Sequence, residues 1–441
     1  MYKPNELYWG LGIEEETYLQ FTKPIYVAAP IIRTCHGAER YSVKYYTTYK
    51  PNYKDAFAVF TDASGFYPLP YFFNGHCFSK MDTAGEHITT YEKVPKPNPK
   101  FSGKTFFEEL EEYKTYRKSF AAIFNESCIF DGDTLEFMTQ NFYKAKVDCV
   151  IRELLKAKKD LLRCINEYLV KKKLHRDKGL LMYPPVNPGF AVYFSNPKNV
   201  TMFNNGTYHI NITLPTLLGG ADENGVPRIL DLKRFREKHK IFIRLIQWLE
   251  PLIIANFGTK DPLATYAKGS QRCAVSRYIG VGTFDTVDMP MGKIVTVPVS
   301  QIRGSDTDFW WYKVYHENSG YNKLEELGMD ISYRKHYNHG VEIRFLDWFP
   351  ETMLKGLIEF YICLADASLE SDMPENPVMS PVWNAFVVSV FRGQVNHEIA
   401  DVYSKLFKVP LRGNVSEMYK MLSAGLASKY KNGICNKCMT S

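Results

Sequence analysis

The spacing of hydrophobic residues along the chain predicts several long helices. One apolar stripe runs through Phe142–Leu174 with helical periodicity, and a second helical segment, Leu232–Asn256, follows Asp231, a residue type that caps helix amino termini. Further helices are predicted at Thr105–Phe120 and from Pro350 to Leu369. The pattern of the tail predicts three more helices: Pro381–Arg392, His397–Phe407 and Val415–Tyr430.

Runs of β-branched and aromatic residues between turn signals predict strands, most densely in the first 62 residues. The predicted strands are Leu7–Phe21, Tyr26–Arg33, Tyr41–Tyr49, Ala56–Thr61, Phe190–Phe194, Gly206–Leu214 and Gly340–Asp347, and Ile129–Thr139 is predicted to be a turn that leads into a strand. The strands and helices do not alternate as regular βα units. This order predicts an α+β fold with a mainly antiparallel sheet.

Composition narrows the possible environments and partners of the chain. Its 441 residues include 55 basic and 48 acidic side chains, an excess too small to argue for nucleic acid. Nine cysteines without framework spacing, a polar amino terminus and no long apolar run lead us to expect a soluble cytoplasmic protein with reduced thiols and no membrane partner. Cys435 and Cys438 form one Cys-x-x-Cys without a nearby second pair, which is a weak signal for zinc.

Four of the predicted strands carry polar, metal-capable residues two positions apart. Side chains at this spacing project from the same face of a strand, so across an antiparallel sheet they could converge on one concave surface. Carboxylates gathered in this way suit a divalent cation, which prefers oxygen ligands. The four sets are Glu14 and Glu16; Asp131, Asp133, Glu136 and Thr139; His209 and Asn211; and Glu342, Arg344 and Asp347.

Each set alone also has an ordinary structural explanation. An isolated Glu-x-Glu suits the polar face of an edge strand, and a lone histidine such as His209 is more often hydrogen-bonded than metal-bound. Glu342 and Arg344 could form an ion pair along one strand, and Asp131-Gly132-Asp133 is a common turn sequence. Taken together, the sets are hard to explain as surface residues, because the alternate positions are strongly apolar.

The order of these motifs resembles that of the carboxylate–amine ligases of the glutamine synthetase and glutamate–cysteine ligase superfamily, most closely its amidoligase branch. Members open with Gly-x-Glu-x-Glu, continue with an Asp-Gly turn and a glutamate-bearing strand, and end with His-x-His or His-x-Asn and then Glu-x-Arg strands. Asn211 stands where the commoner form has a second histidine. The resemblance spans residues 8 to about 350 and is carried by Gly12, Glu14, Glu16, Asp131, Gly132, Glu136, Thr139, His209, Asn211, Glu342 and Arg344.

The resemblance implies a curved, mainly antiparallel sheet shaped as a bowl, with long helices on its outer face. The bowl would hold ATP and two or three Mg²⁺ or Mn²⁺ ions. It also implies a catalytic domain over residues 1–370, with a helical extension over 371–441 packed on it. Such enzymes phosphorylate a carboxylate, here a small molecule or a peptide, and an amine then displaces the phosphate from the acyl phosphate to form an amide.

The resemblance assigns roles to individual residues. Arg344 would bind the transferring phosphoryl group, since a guanidinium suits phosphate oxygens. Arg272 and Arg277 lie in a glycine-containing loop and would contact the nucleotide and the reacting groups. The alternative is that both are ordinary arginines of a surface loop. Asn211 would contact the nucleotide or orient ligands. The implied metal ligands are Glu14, Glu16, Glu136, His209 and Glu342, of which Glu342 is also a catalytic residue.

Two other functions stay open from the sequence. The chain could be a catalytically inactive descendant of the ligase fold that serves as a structural or interaction module. It could also use the same surface for metal-dependent hydrolysis or phosphotransfer. Neither a phosphate loop of the Gly-x-x-x-x-Gly-Lys type nor a Gly-x-Ser-x-Gly elbow occurs in the sequence.

Overall fold

The structure is a computed structural model, and it describes twelve stretches of the chain. They are residues 3, 5–28, 66–69, 127–131, 134–185, 207–221, 223, 227–258, 331–334, 339–391, 397–430 and 433–439. Several predicted elements lie outside these residues. They are the strands Tyr41–Tyr49, Ala56–Thr61 and Phe190–Phe194 and the helix Thr105–Phe120.

Antiparallel strands form the central layer of the fold. The strands in the described residues are β1 (Leu7–Thr17), β2 (Gln20–Phe21), β3 (Ile25–Ala28), β4 (Phe66–Leu69), β5 (Cys128–Asp131), β6 (Thr134–Met138), β7 (Leu181–Met182), β8 (Thr207–Ala221), β9 (Pro227–Ile229), β10 (Ile331–Arg334) and β11 (His339–Ile343). The main sheet has the order β10–β11–β8–β1–β6–β5, and β9 pairs with β8. Strands β2 and β7 form one separate pair, and β3 and β4 form another.

Eight α-helices lie in the described residues. They are α1 (Val147–Lys171), α2 (His175–Lys178), α3 (Leu232–Phe257), α4 (Leu354–Glu370), α5 (Pro381–Phe391), α6 (Ile399–Phe407), α7 (Val415–Lys429) and α8 (Ile434–Met439). Helices α1, α3 and α4 contact the main sheet. The mixed helix-and-sheet class and the antiparallel pairing expected from the sequence are therefore confirmed. None of the described helices is long and apolar enough to cross a membrane.

One face of the main sheet packs on the helices because its alternate positions are apolar. Leu11 and Ile13 of β1 lie on this face with Ile210 and Ile212 of β8, and all four are buried in a core that continues into α1, α3 and α4. Burying such side chains contributes about 1.5–3 kcal/mol each, so the apolar face fixes which way each strand is turned. The residues that alternate with these apolar ones along each strand, including Glu14 and His209, must then project from the opposite face.

The helix boundaries follow the sequence closely, with explicable exceptions. Asp231 accepts a hydrogen bond from the Arg234 N–H (3.0 Å), as expected for the amino-terminal cap of α3. The prediction that α1 begins at Phe142 is wrong. The Phe142 carbonyl accepts from Leu11 N–H at 2.9 Å and Lys144 has a positive φ of 59°, so this segment runs beside β1 before α1 begins at Val147.

Other boundaries also differ from the predictions. Strand β8 continues beyond Leu214 to Ala221, and β11 ends at Ile343 instead of Asp347. The buried Leu346 that follows β11 accepts a hydrogen bond from the Thr207 hydroxyl, so the chain turns away from the ladder there. A 3₁₀ turn, Glu351–Met353, precedes α4.

The carboxyl-terminal helices pack against α3. The Trp383 indole of α5 and the Tyr403 hydroxyl of α6 both donate to the Trp248 carbonyl, at 3.0 and 2.6 Å. The three predicted tail helices are present as α5, α6 and α7, and α7 begins with a capping box between Asn414 and Glu417. Helix α8 was not predicted from the sequence. The division of the chain at residue 370 stays a prediction.

Candidate metal centre

The strand register brings most of the predicted site residues together. Directly opposed residues on neighbouring antiparallel strands project from the same face of the sheet. The polar face of the sheet therefore has its acids and its histidine side by side across four strands. The opposed pairs are Glu14 with His209, Glu16 with Glu136, and Glu342 with Asn211.

Glu14, His209 and Glu342 form the centre of this arrangement. The Nδ1 atom of His209 lies 3.3 Å from Glu14 Oε2 and 3.5 Å from Glu342 Oε1. One ligand atom from each residue lies within 4.8 Å of the other two, and the residues are only 8%, 2% and 1% exposed, in that order along the chain. Two buried carboxylates and an imidazole at these separations form a donor set that fits a divalent cation.

Two further acids extend the centre along β1 and β6. Glu16 is buried, and its Oε1 atom lies 3.5 Å from His209 Nε2, on the other side of the imidazole ring from Glu14. Glu136 is half-buried and lies directly opposite Glu16. Carboxylates that share a face in this way repel each other, and a bound cation relieves the repulsion.

Arg344 lies just after the end of β11, beside the cluster of carboxylates. Its Nη1 atom is 3.4 Å from Glu342 Oε2, and 26% of the side chain is exposed. Burial acts to lower the pKa of this guanidinium, but the surrounding carboxylates outweigh burial and raise the pKa above its ordinary value. Arg344 is therefore always charged and has an exposed side that an anion can approach. The carboxylates responsible are those of Glu342, Glu16, Glu14 and Glu136.

Asn211 and the glycines of β1 shape the same face. Asn211 is buried between Gly12 of β1 and Glu342 of β11, and its Oδ1 atom accepts no hydrogen bond from any described residue. A Cβ on Gly12 would lie 2.8 Å from Cδ2 of Phe142, so the Phe142 ring occupies the space above the glycines. An unsatisfied buried amide oxygen beside Glu342 is an acceptor of the type that a cation or its bound water would use.

The opposite face of β1 holds the strand in place through a buried ion cluster. Glu15, which lies between the two site glutamates, accepts a 2.7 Å hydrogen bond from Lys158 of α1, and Lys158 also pairs with Glu351. Burial acts to lower the pKa of Lys158, but these two carboxylates raise it above its ordinary value. Lys158 was missed from the sequence, although a lysine on the apolar stripe of α1 is a signal of a buried partner.

Thr139 has a structural role, because it bonds to the backbone of β1. Its hydroxyl oxygen accepts from the Ile13 N–H at 3.0 Å, and its own N–H donates to the Ile13 carbonyl at 3.0 Å. These bonds extend the β1–β6 ladder beyond the end of β6. Thr139 therefore fixes the register that sets Glu16 beside Glu136.

The predicted site residues thus divide into two groups. The structure brings seven of them to one face of the sheet: Glu14, Glu16, Glu136, His209, Asn211, Glu342 and Arg344. Arg272, Arg277 and the turn residues Gly132 and Asp133 lie outside the described residues. Asp131 is described as the last residue of β5, where it pairs with Thr134.

Comparison with known proteins adds one relationship. No family model matches the chain. The chain is 38% identical over 456 residues to a protein of Acanthamoeba polyphaga mimivirus named "Uncharacterized protein R704", and the alignment covers 100% of this chain and 78% of the relative.

Proposed function

We propose that this chain, which belongs to the same family as the mimivirus protein R704, is an ATP-dependent carboxylate–amine ligase of the glutamine synthetase-like, amidoligase type. The observation that carries the proposal is the buried set of Glu14, His209 and Glu342, with the Arg344 guanidinium beside it. The order of these residues along the chain supports the same proposal through the motif resemblance.

The donor set favours Mg²⁺ or Mn²⁺ among the biological cations. Oxygen ligands predominate, which suits hard cations, and the cysteine thiolates that select zinc do not occur among the described residues of this face. Glu14, His209 and Glu342 would hold one ion, and Glu16 with Glu136 would hold another or share the first. When bound, these ions would neutralise charge on the phosphates of ATP and on the phosphoryl group that passes from ATP to the substrate carboxylate.

Arg344 would bind the transferring phosphoryl group. Phosphoryl transfer needs little covalent help from a protein, so a fixed positive charge close to the phosphate oxygens supplies much of the catalysis. Glu342 contacts the guanidinium through Nη1, and 26% of the Arg344 side chain is exposed. The same Arg344 charge would stabilise the acyl phosphate until an amine displaces phosphate from it.

The rest of the proposed architecture follows the resemblance. The antiparallel sheet would curve as a bowl around the nucleotide, residues 1–370 would form the catalytic domain, and residues 371–441 would pack on it as an extension. Arg272 and Arg277 would reach the phosphates or the substrate carboxylate. The substrates would be a small-molecule or peptide carboxylate and an amine. Because the reaction consumes ATP, we expect it to take place in the cytoplasm.

The test is amine-dependent release of ADP from ATP by the purified chain with Mg²⁺ or Mn²⁺, screened over carboxylates and amines. Glu14→Gln and Arg344→Ala should each abolish turnover. Glu237→Gln, an exposed carboxylate on α3, is the matched control and should behave as the wild type. Circular dichroism spectra would show that all variants fold.

The other outcomes separate the alternative functions. ATP consumption without amide formation would indicate hydrolysis or phosphotransfer on the same surface. Absence of nucleotide binding in calorimetric titrations with ATP and Mg²⁺ would indicate an inactive scaffold of the same fold. Full turnover in both Glu14→Gln and Arg344→Ala would refute the proposed site.

A further inference from the structure

Two buried thiols meet between α4 and α8, on segments far apart in sequence. Cys363 of α4 and Cys435 of α8 have their Sγ atoms 3.2 Å apart, although 72 positions separate them along the chain. Both side chains are buried. A disulfide requires a sulfur–sulfur distance of about 2.05 Å, so a shift of little more than an ångström joins these two atoms.

Other contacts hold the two thiols next to each other. Both carboxylate oxygens of Asp366 on α4 accept hydrogen bonds from the start of α8, from Ile434 N–H at 2.8 Å and Cys435 N–H at 2.7 Å. The carboxylate therefore attaches the amino end of α8 one turn away from Cys363.

We propose that Cys363 and Cys435 are a redox-active dithiol that closes to a disulfide and ties α8 covalently to α4. The oxidant is a low-molecular-weight disulfide such as oxidised glutathione. The Cys435 thiolate attacks one sulfur of the oxidant, one thiol leaves, and a mixed disulfide forms. The Cys363 thiolate then attacks Cys435 Sγ and releases the second thiol. Two protein thiols lose two electrons and two protons, and one small disulfide becomes two thiols.

The environment of the pair agrees with this order of events. The hydrogen bond with Cys363 lowers the pKa of Cys435 below its ordinary value, whereas the pKa of Cys363 is raised by the same contact and by burial. Burial also raises the pKa of Cys438, one turn along α8. Cys435 is thus the thiol most readily ionised, and Cys363 is in position to displace the mixed disulfide.

The disulfide would fix α8 against the strand that carries the metal ligands. Helix α8 contacts α1 as well as α4, and the Lys437 ammonium lies 5.7 Å from the ring centre of Trp9 in β1. In the reduced protein the Asp366 cap and the buried side chains of Ile434, Cys435 and Cys438 also hold this helix. The covalent link would add to these contacts and make α8 harder to separate from α4 and from β1.

The experiment uses the full-length wild type, reduced and then equilibrated in buffers of reduced and oxidised glutathione. Free thiols are alkylated after denaturation, and peptides are mapped by mass spectrometry. The expected product is one cross-linked peptide pair joining Cys363 to Cys435, while Cys128 and Cys164 stay alkylated. Cys149→Ser, a change at an exposed thiol, should give the same product, and Cys435→Ser should lose it.

Three results would overturn the proposal. They are a Cys435–Cys438 link as the main product, a stable mixed disulfide with glutathione, or zinc bound to the reduced protein in place of free thiols. A second readout needs no variant, because the oxidised wild type should unfold at a higher urea concentration than the reduced wild type. Equal midpoints in a sample shown to be cross-linked would contradict the proposed link between α8 and the rest of the fold.

Discussion

Replacing His239 tests how α3 is attached to β8, the strand that carries His209 of the candidate metal centre. The imidazole is fully buried, its Nε2 atom accepts from Leu214 N–H of β8 at 3.1 Å, and its Nδ1 atom donates to the Phe235 carbonyl at 2.7 Å. Since a backbone amide must donate, the ring is neutral with its proton on Nδ1. A protonated ring would lose the bond to β8.

The magnitude follows from the pKa of the buried ring. Burial lowers the pKa of His239 to about 4, despite the opposing hydrogen bond to Phe235. The unfolded chain takes up a proton on this residue below about pH 6.5, whereas the folded chain does so only near the lower value. The unfolded state binds more protons in this window, so stability falls as pH falls. From pH 7.5 to pH 5.0 the loss is about 2 kcal/mol, because the slope approaches roughly 1.4 kcal/mol per pH unit once the pH is well below 6.5.

The assay is urea unfolding at pH 7.5 and pH 5.0 for the wild type and His239→Gln, whose side chain can still accept from Leu214. The variant should be less stable at pH 7.5, but its free energy of unfolding should change less with pH, by about 2 kcal/mol, because the titrating group is gone. His397→Gln, at an exposed position, is the control. Equal pH dependence in wild type and His239→Gln would refute the reasoning.

Three further changes test the packing around the sheet by urea unfolding. Lys158→Met leaves Glu15 buried without its ammonium partner and should lower the free energy of unfolding by about 3–5 kcal/mol. The double variant Lys158→Met/Glu15→Gln should recover most of this loss, and a double variant as unstable as Lys158→Met would contradict the pairing. Gly12→Ala places a Cβ against the buried Phe142 ring and should cost about 1–3 kcal/mol. Gly356→Ala, in open space on α4, should instead stabilise by up to about 1 kcal/mol, and the opposite order of these two alanine variants would show that the Phe142 contact is wrong.

The sequence predicted the orientation of strands and helices where only one orientation buries their apolar residues. Alternation in β1 fixed the face of Glu14 and Glu16, because the reverse orientation would bury charge against the helices and expose Ile13. The same reasoning held for His209 in β8 and for Glu342 in β11. The helical stripes of α1, α3 and α4 were recognisable for a similar reason, since each packs a continuous apolar face on the core.

The remainder depended on contacts between residues far apart in sequence, which local patterns do not contain. Phe142 continues the helical pattern of α1, yet its backbone bonds to Leu11 of β1, so the helix begins later. The partners of Glu15 could not be predicted, because α1 and the turn before α4 supply them. Helix α8 is too short to show periodicity and is specified by its cap from Asp366.

The most direct test of the metal centre is pulsed electron paramagnetic resonance of Mn²⁺ bound to the purified chain. We expect tight Mn²⁺ binding with a ¹⁴N coupling from His209, loss of that coupling in His209→Gln, and much weaker binding in Glu14→Gln and Glu342→Gln. Glu237→Gln should reproduce the wild type. Mn²⁺ that binds without nitrogen coupling, or with equal affinity to Glu14→Gln, would contradict a metal centre at this face of the sheet.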